Sequence, residues 1–207
     1  MKIETGNNAS LIGYKGMFPK IHPSVFLCEG VRIIGDVEIG EDSSIWYNTV
    51  IRGDVNYIRI GKRVNIQDCS MIHVTHDTCP TILEDNVSVG HLVALHGCTI
   101  KKGALIGIGA KILDYAVIGE ESLIASGCVV KEGFIVPPRV LVAGIPGKII
   151  RDLSDEDIQR VTSTTPNYMK YVAEYRKDVE FVNSMAQARQ IREMTEELKE
   201  KAKKEGK

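Results

Sequence analysis

Three histidines stand at corresponding places in a repeating aliphatic pattern, and histidine is the commonest side chain that binds transition metals in proteins. His73 and His96 each directly follow an aliphatic residue of the pattern, and His91 comes two residues after one. Three neutral imidazoles on one zinc ion leave a fourth coordination position open for water. These residue types and spacings therefore indicate a metal site that activates water.

The aliphatic pattern has a period of six residues. It comprises twenty positions: Ile21, Leu27, Ile33, Ile39, Ile45, Ile51, Ile60, Ile66, Ile72, Leu83, Val89, Leu95, Ile100, Ile106, Ile112, Ile118, Ile124, Val130, Val136 and Val142. Amphipathic strands have a period of two and helices one of 3.6, so neither explains the pattern. A triangular coil does, because each hexapeptide supplies one short strand and one corner. One coil cannot bury its own apolar face, so the pattern predicts about seven stacked coils in a left-handed parallel β-helix.

The period is interrupted three times. The steps after Ile51, Ile72 and Leu95 are nine, eleven and five residues long instead of six. Interruptions in a solenoid map to loops on its surface, often beside a functional site. These three bracket the candidate catalytic residues.

The repeat count also places the histidines in space. Three hexapeptides close one coil, so His73 and His96 should lie on the same edge, about 4.8 Å apart along the stack. His91 belongs to a different face. In a trimer, His91 of one chain would meet His73 and His96 of the next, which predicts a metal site between subunits. His22 and His76 are predicted to be surface residues.

Charged and amide side chains fall on the same two edges. The count places Arg52 on the edge of His73 and His96, and it places Gln67 and Asp68 with His91. Arg52 of one chain could then form a bidentate ion pair with Asp68 of the next and fix the register of the interface.

The C-terminal part of the chain has a helical pattern. Ser154 is predicted to cap one helix, and Thr165-Pro166 is predicted to start a second. An apolar stripe along the second helix should lie on the outside of the β-helix: Tyr168, Val172, Tyr175, Val179, Val182 and Ala186. We therefore predict a β-helix domain over residues 1–150 and a C-terminal helical segment over residues 151–207. The charged end, residues 196–207, should project, fray or contact a neighbouring chain.

Composition excludes several classes of protein. The 207 residues carry a formal net charge of −1, which a nucleic-acid-binding protein would not be expected to have. No apolar run approaches the roughly 18 residues of a membrane span, and the N-terminus lacks the apolar centre of a signal peptide. We therefore predict a cytoplasmic protein with no nucleic-acid or membrane partner. The five cysteines are odd in number and form no Cys-x-x-Cys pair, so they are predicted to fill the core.

The motifs around the candidate residues resemble those of the γ-class carbonic anhydrases and their bacterial relatives. They are Ile51-Arg52-Gly53-Asp54, Asn65-Ile66-Gln67-Asp68, Ile72-His73 and Gly90-His91-Leu92-Val93-Ala94-Leu95-His96-Gly97. The resemblance implies a homotrimer that binds Zn²⁺, or alternatively Fe²⁺ or Co²⁺, through His73, His91 and His96 from two subunits. It implies that Arg52 and Asp68 form a structural pair, and that Gln67 and Asn65 orient the metal-bound water. The implied activity is a lyase reaction in which metal-bound hydroxide hydrates CO₂ to bicarbonate.

Two departures from the family pattern bear on rate. Val55 follows the Arg-Gly-Asp motif where the prototype has an acidic residue, and the loop Val74–Pro80 is short and lacks the acidic proton shuttle. These departures predict low turnover.

Residues 125–134 and 144–148 are similar to relatives encoded with phenylacetate and carnitine metabolism. The alternatives are a non-catalytic trimer stapled by metal, a CoA-thioester hydrolase and a hexapeptide acyltransferase.

Overall fold

The computed structural model describes residues 9–178, and the hexapeptide pattern there forms a parallel β-helix. Nineteen of the twenty aliphatic positions are buried inside it, and Ile21 is partly exposed. Neighbouring coils pair through short parallel strands that place these aliphatic residues directly above one another. The predicted left-handed β-helix of about seven coils is therefore confirmed.

The strands are short, and most contain two or three residues. In chain order the elements are β1 (Ser10–Ile12), β2 (Lys20–Ile21), β3 (Phe26–Leu27), β4 (Arg32–Ile39), β5 (Ser44–Ile45), β6 (Val50–Ile60), β7 (Asn65–Ile66), β8 (Met71–His73), β9 (Thr81–Leu83), β10 (Ser88–Val89), β11 (Ala94–His96), β12 (Thr99–Ile100), β13 (Leu105–Ile106), β14 (Lys111–Ile112), β15 (Val117–Ile118), β16 (Leu123–Ile124), β17 (Val129–Val130), β18 (Ile135–Val136), β19 (Val140–Ala143), β20 (Lys148–Asp152) and the helix α1 (Asp155–Asp178).

The strands form three faces. The first face stacks β3, β5, β7, β10, β13, β16 and β19, and β20 pairs antiparallel with β19. The second face contains β1, β8, β11, β14 and β17, and the third contains β2, β9, β12, β15 and β18. The long strands β4 and β6 continue from the second face onto the third.

Two corners of the coils matter for function. The first corner joins the first face to the second and comprises residues 28–31, 46–49, 67–70, 90–93, 107–110 and 125–128. The second corner joins the second face to the third and comprises residues 52–57, 73–80, 96–98, 113–116 and 131–134. At the first corner, the residue three positions after each buried aliphatic residue adopts positive φ, which glycine tolerates at Gly109 and Gly127. Leu92 adopts the same conformation with φ of 59°, which is unusual for a bulky side chain.

The two long interruptions of the repeat lie at the second corner. In β6, residues 54–57 lie opposite the single residue Asp36 of β4, so the insertion is a bulge inside the strand. The insertion after Ile72 forms a loop that closes through backbone hydrogen bonds between Thr75 and Cys79. Both insertions were predicted from the step lengths, and they bring extra polar residues to the edge that carries His73.

The C-terminal region contains one described helix instead of two. Ser154 caps α1, because its Oγ accepts the backbone N–H of Asp157 at 3.2 Å and Asp157 accepts the N–H of Ser154 at 3.0 Å. The predicted second helix beginning at Thr165-Pro166 is wrong, since α1 continues through Pro166.

Packing explains why Pro166 does not end the helix. Proline inside a helix removes one backbone hydrogen bond and costs roughly 3 kcal/mol. Val161 on the same helix is buried, with 2% of its surface exposed. Burial of this helix face favours continuation over the local preference of proline.

Three residues of the predicted apolar stripe lie within the described part of α1, and all three are half-buried: Tyr168, Val172 and Tyr175. Tyr168 packs the edge of its ring against Trp46 with 5.3 Å between centroids, and Val172 is half-buried. Val179, Val182, Ala186 and the charged end lie outside the described residues.

Residues 9–172 form one compact unit, and residues 173–178 at the end of α1 belong to a second. The division into residues 1–150 and 151–207 stays a prediction.

All five cysteines are free; Cys69 is exposed and the other four are buried. Across residues 9–178, no helix combines the length and apolar character needed to cross a membrane.

Inward and outward isoleucines on neighbouring coils should respond differently to truncation. Ile118 of β15 is fully buried, whereas Ile135 of β18 is 60% exposed. We expect Ile118→Ala to lower the free energy of unfolding by roughly 2–5 kcal/mol, because it leaves a cavity in the core. Ile135→Ala should change it by less than about 0.5 kcal/mol. Denaturant unfolding followed by circular dichroism measures both, and equal losses would contradict this inward placement.

Candidate metal centre

The second corner brings His73 and His96 together. Strands β8 and β11 pair in parallel with His73 directly opposite His96, as the repeat count predicts. Nδ1 of His73 lies 3.2 Å from Nε2 of His96. Two nitrogens bound to one zinc ion are separated by roughly 3.4 Å, so the two side chains already have the spacing of metal ligands.

Each of these histidines has a carboxylate on its outer nitrogen. Oδ1 of Asp54 lies 3.0 Å from Nε2 of His73, and Oδ1 of Asp114 lies 2.5 Å from Nδ1 of His96. An ionised carboxylate can only accept hydrogen bonds, so each imidazole must donate its outer N–H. A neutral imidazole has a single N–H. The inner nitrogens of both rings therefore carry lone pairs.

Two lone pairs thus face one another across the 3.2 Å gap. Burial lowers the pKa of His73, although its hydrogen bond to Asp54 opposes this, so the charged form of His73 is disfavoured. A cation between the two nitrogens satisfies both lone pairs, and the carboxylates of Asp54 and Asp114 supply compensating charge. Carboxylates behind ligating histidines are a common feature of metal sites. The donor set therefore fits a transition-metal ion.

The carboxylate of Asp114 is itself held in place. The hydroxyl of Thr75, in the inserted loop, donates to Oδ2 of Asp114 at 2.8 Å. Gly97 leaves room for the other oxygen, since a Cβ at this position would lie 2.5 Å from Oδ1 of Asp114. The insertion after Ile72 therefore supplies a hydrogen bond to this carboxylate, and the glycine after His96 leaves space for it.

Asp54 is held by Arg52. A guanidinium nitrogen of Arg52 lies 2.5 Å from Oδ2 of Asp54. Burial raises the pKa of Asp54, but the hydrogen bonds from Arg52 and His73 outweigh it and lower the pKa overall. Asp54 is therefore ionised at neutral pH and accepts the N–H of His73.

The third histidine lies at the first corner with Gln67 and Asp68. Nδ1 of His91 is 2.7 Å from Oδ2 of Asp68, so this imidazole also has a carboxylate partner and keeps Nε2 for a ligand. Its side chain is 40% exposed, compared with 16% for His73. Within residues 9–178 of one chain, no three His, Cys, Asp or Glu side chains come together to hold a metal. One chain thus presents two donors at one corner and one at another.

The predicted partners Arg52 and Asp68 do not meet within a chain. Arg52 binds Asp54, and Asp68 binds His91 and accepts the backbone N–H of Tyr47 at 3.2 Å. The pair was expected between two chains, so it stays a prediction.

Asn65 and Gln67 are buried and bonded to one another. Nε2 of Gln67 donates to Oδ1 of Asn65 at 3.1 Å. Gln67 also lines a groove beside Gly90 and Ile108, so its amide lies at the edge of open space. The predicted catalytic pair is therefore brought together at the corner that carries His91.

The two remaining histidines and Cys98 have partners or surroundings other than the candidate metal ligands. His22 contacts Ser24, and His76 pairs with Asp77 at 2.9 Å on the exposed part of the loop. Cys98 is buried two residues after His96, and burial raises the pKa of its thiol. A buried neutral thiol is a packing residue.

Sequence reasoning missed Asp114 and the contact from Asp54. Asp114 follows His96 by 18 residues, but this coil contains the five-residue step after Leu95. The repeat count aligns Leu95 with Ile112 and therefore places Leu113, one residue before Asp114, opposite His96. Asp54 lies in the bulge of β6, where the count loses its register.

Comparison with known sequences finds a hexapeptide-repeat family and relatives named as carbonic anhydrases. Residues 18–53 and 97–132 match the family described as bacterial transferase hexapeptide (six repeats). A carbonic anhydrase of Geobacillus kaustophilus is 45% identical over 157 residues, which is 76% of this chain and 86% of that protein. Gamma carbonic anhydrase 2, mitochondrial, of Arabidopsis thaliana is 40% identical over 156 residues, which is 73% of this chain. The match covers 56% of the plant protein, so this chain spans about half of its length.

Among solved structures, a Bacillus cereus protein named provisionally as an acetyltransferase is similar throughout. It is 48% identical with a TM-score of 0.80, and the match covers 82% of this chain and 98% of that one.

Removal of the carboxylate behind His96 should weaken zinc binding. We expect Asp114→Ala to lower zinc affinity by about 10- to 100-fold, because the imidazole of His96 then loses the carboxylate that fixes its tautomer and orientation. Asp114→Asn keeps an acceptor oxygen and should lose less. Asp77→Ala, in an exposed carboxylate paired with His76, is the matched control. Competition with a chromogenic chelator measures the affinities, and wild-type affinity in Asp114→Ala would exclude this role.

Proposed function

The chain belongs to the γ-class carbonic anhydrase-like family of hexapeptide-repeat proteins, and on that basis we propose that it is a metal-dependent lyase that hydrates CO₂ to bicarbonate. The observation that carries the proposal is the 3.2 Å separation of Nδ1 of His73 from Nε2 of His96, with a carboxylate behind each ring. We propose Zn²⁺ as the metal, with Fe²⁺ or Co²⁺ as alternatives.

We propose that a homotrimer completes the site. His91 lies on a different corner from the other two donors, so a neighbouring chain has to supply it. Large apolar side chains are exposed on the second face and its two corners: Met71, Leu92, Ile108 and Leu113. Exposed apolar patches of this kind mark interaction surfaces, which supports an interface here.

When bound, a divalent metal lowers the pKa of a coordinated water to about 7 and so supplies a nucleophile for CO₂. The chain's own residues prepare the site for this chemistry. Asp54, Asp68 and Asp114 each keep one imidazole in the tautomer that can ligate. Gln67, held by Asn65, presents an amide that orients the attacking oxygen.

We propose that turnover is low. The loop after His73 is short, and its titratable side chains His76 and Asp77 bind one another at its exposed end. Export of a proton needs a titratable group that passes it on to buffer.

Location in the cytoplasm stays a prediction.

Three alternatives use the same scaffold. A CoA-thioester hydrolase would use the same nucleophile on another substrate, and a metal-stapled trimer would have no turnover. The acetyltransferase name of the Bacillus cereus relative suggests acyl transfer, but a shared fold is weak support for a shared reaction. Acyl transfer does not need three histidines, so His73→Ala would preserve it.

Stopped-flow assays test the activity. Zinc-loaded protein and anaerobically iron-loaded protein should hydrate CO₂ above background. His96→Ala should lose more than about 100-fold, because it removes a ligand. If both loaded forms are no faster than His96→Ala, the lyase proposal fails. A metal-free protein that falls to monomers would then favour the stapled trimer.

Mixing of two inactive variants tests whether subunits share the site. His91→Ala and His96→Ala should each bind little zinc alone. Randomly mixed trimers from co-expression should recover about one quarter of the sites, because an intact site needs His91 from one chain and His96 from its neighbour. Zinc content per chain, measured by elemental analysis, gives the fraction. No recovery would place the donors within one chain or show that they share no metal.

A further inference from the structure

A buried chain of hydrogen bonds connects α1 to Gln67. It runs from the backbone carbonyl of Asn86 through the side chains of Thr165, Ser88 and Asn65 to Gln67, and we call it the amide chain. Oγ1 of Thr165 lies 3.0 Å from the Asn86 carbonyl and 2.9 Å from Oγ of Ser88. Nδ2 of Asn65 lies 2.7 Å from Oγ of Ser88, and Oδ1 of Asn65 lies 3.1 Å from Nε2 of Gln67.

The four side chains of the amide chain are withdrawn from water. Their exposed fractions are 1% for Asn65, 6% for Gln67, 1% for Ser88 and 4% for Thr165. Buried hydrogen-bonding groups that lose a partner pay their full desolvation cost, so each bond of the chain is strongly favoured. A second, longer contact of 3.5 Å from Nδ2 of Asn65 to Oγ1 of Thr165 has the same direction.

Counting hydrogens gives the amide chain one direction. The Asn86 carbonyl can only accept, so the single hydroxyl hydrogen of Thr165 is used on it. Oγ1 of Thr165 must then accept from the hydroxyl of Ser88, and Oγ of Ser88 must accept from an N–H of Asn65. The NH₂ group of Asn65 therefore faces Ser88, which turns its carbonyl oxygen towards Gln67.

The direction of the chain determines the orientation of the Gln67 amide. Because Oδ1 of Asn65 can only accept, Gln67 must present its NH₂ group there, and its Oε1 lies on the other side. Gln67 lines the groove at the first corner together with Gly90, Ile108 and Ser126. The free end of the amide is thus an acceptor at the corner that carries His91.

We propose that Thr165 and Ser88 are positioning residues that hold the Gln67 amide with Oε1 free to accept a hydrogen bond in the site. This inference rests on the proposed function. In CO₂ hydration, Oε1 would accept the remaining hydrogen of the oxygen nucleophile and leave a lone pair of that oxygen for the carbon of CO₂. A reversed amide would present a donor to the same lone pair and oppose attack.

The helix is part of this device. Thr165 lies one turn after Val161, and both side chains are buried on the same side of α1. Docking of this part of α1 therefore delivers the hydroxyl that starts the directional chain. Thr162 and Ser163 donate their hydroxyl hydrogens to carbonyls of α1 itself. Thr165, the last hydroxyl residue before Pro166, donates to a carbonyl outside the helix.

Three variants separate the chain from simple helix packing. Thr165→Val keeps the shape of the side chain but removes the hydroxyl, and Thr165→Ser restores the hydroxyl. Val161→Ala weakens helix docking without touching the chain. The side-chain amide protons of Gln67, one of four glutamines in the sequence, can be followed by NMR after ¹⁵N-glutamine labelling.

We expect the Gln67 amide protons of the wild-type protein to exchange with water more slowly than those of the exposed Gln159. Thr165→Val should speed Gln67 exchange by about fivefold to tenfold, because one bond of the network is lost, and Thr165→Ser should restore it. In the metal-loaded protein, Thr165→Val should lower kcat by a similar factor and change KM by less than about twofold, because the lost interaction acts on the transition state.

Unchanged Gln67 exchange in Thr165→Val would overturn the proposal. Equal acceleration in Val161→Ala would overturn it as well, because loosened helix packing would then be the cause. The exchange measurement needs no activity. If the loaded wild-type protein hydrates no CO₂, the proposed function fails, and exchange still decides whether the chain fixes the Gln67 amide.

Discussion

Stacking of each coil directly on the one before it is the constraint on which the rest of the structure depends. The buried aliphatic residues hold consecutive coils in register, so side chains one coil apart in sequence lie above one another in space. His96 meets Asp114 across a coil that is one residue shorter than the regular repeat, and His73 meets His96 across a coil with an insertion. A slip of one residue would turn the inward side chains outward and separate every one of these pairs.

The polar site uses this register but also needs departures from it. A plain coil brings like positions together, and it cannot by itself surround one histidine with different chemical groups. The bulge in β6 supplies Asp54, which fixes His73. The loop after Ile72 supplies Thr75, which holds the Asp114 carboxylate that fixes His96. The result is a pair of nitrogens whose lone pairs are directed at one another, which is unfavourable without a cation. Regular coils thus set the distance between the two histidines, and irregular segments help to set which nitrogen of each imidazole carries the hydrogen.

The sequence allows prediction of whatever depends on period alone. The coil architecture, the edge shared by His73 and His96 and the separate corner of His91 all follow from counting. Tautomers and hydrogen-bond direction do not, because they depend on which side chains reach across a corner from an insertion. The continuation of α1 through Pro166 was also missed. Local propensity favours a break there, and tertiary contacts of Val161 and Thr165 outweigh it.

In the metal site that we propose, neither corner of one chain holds all three donors, and this incompleteness constrains assembly. The second corner presents nitrogens of His73 and His96, and the first presents His91. A contact that joins the first corner of one chain to the second corner of the next is heterologous, so each chain always has one further corner to offer. Such contacts satisfy every corner only when they close into a ring. In the trimer that we propose, three identical contacts leave no donor unused, and α1 of each chain fixes the amide beside the histidine that its neighbour needs.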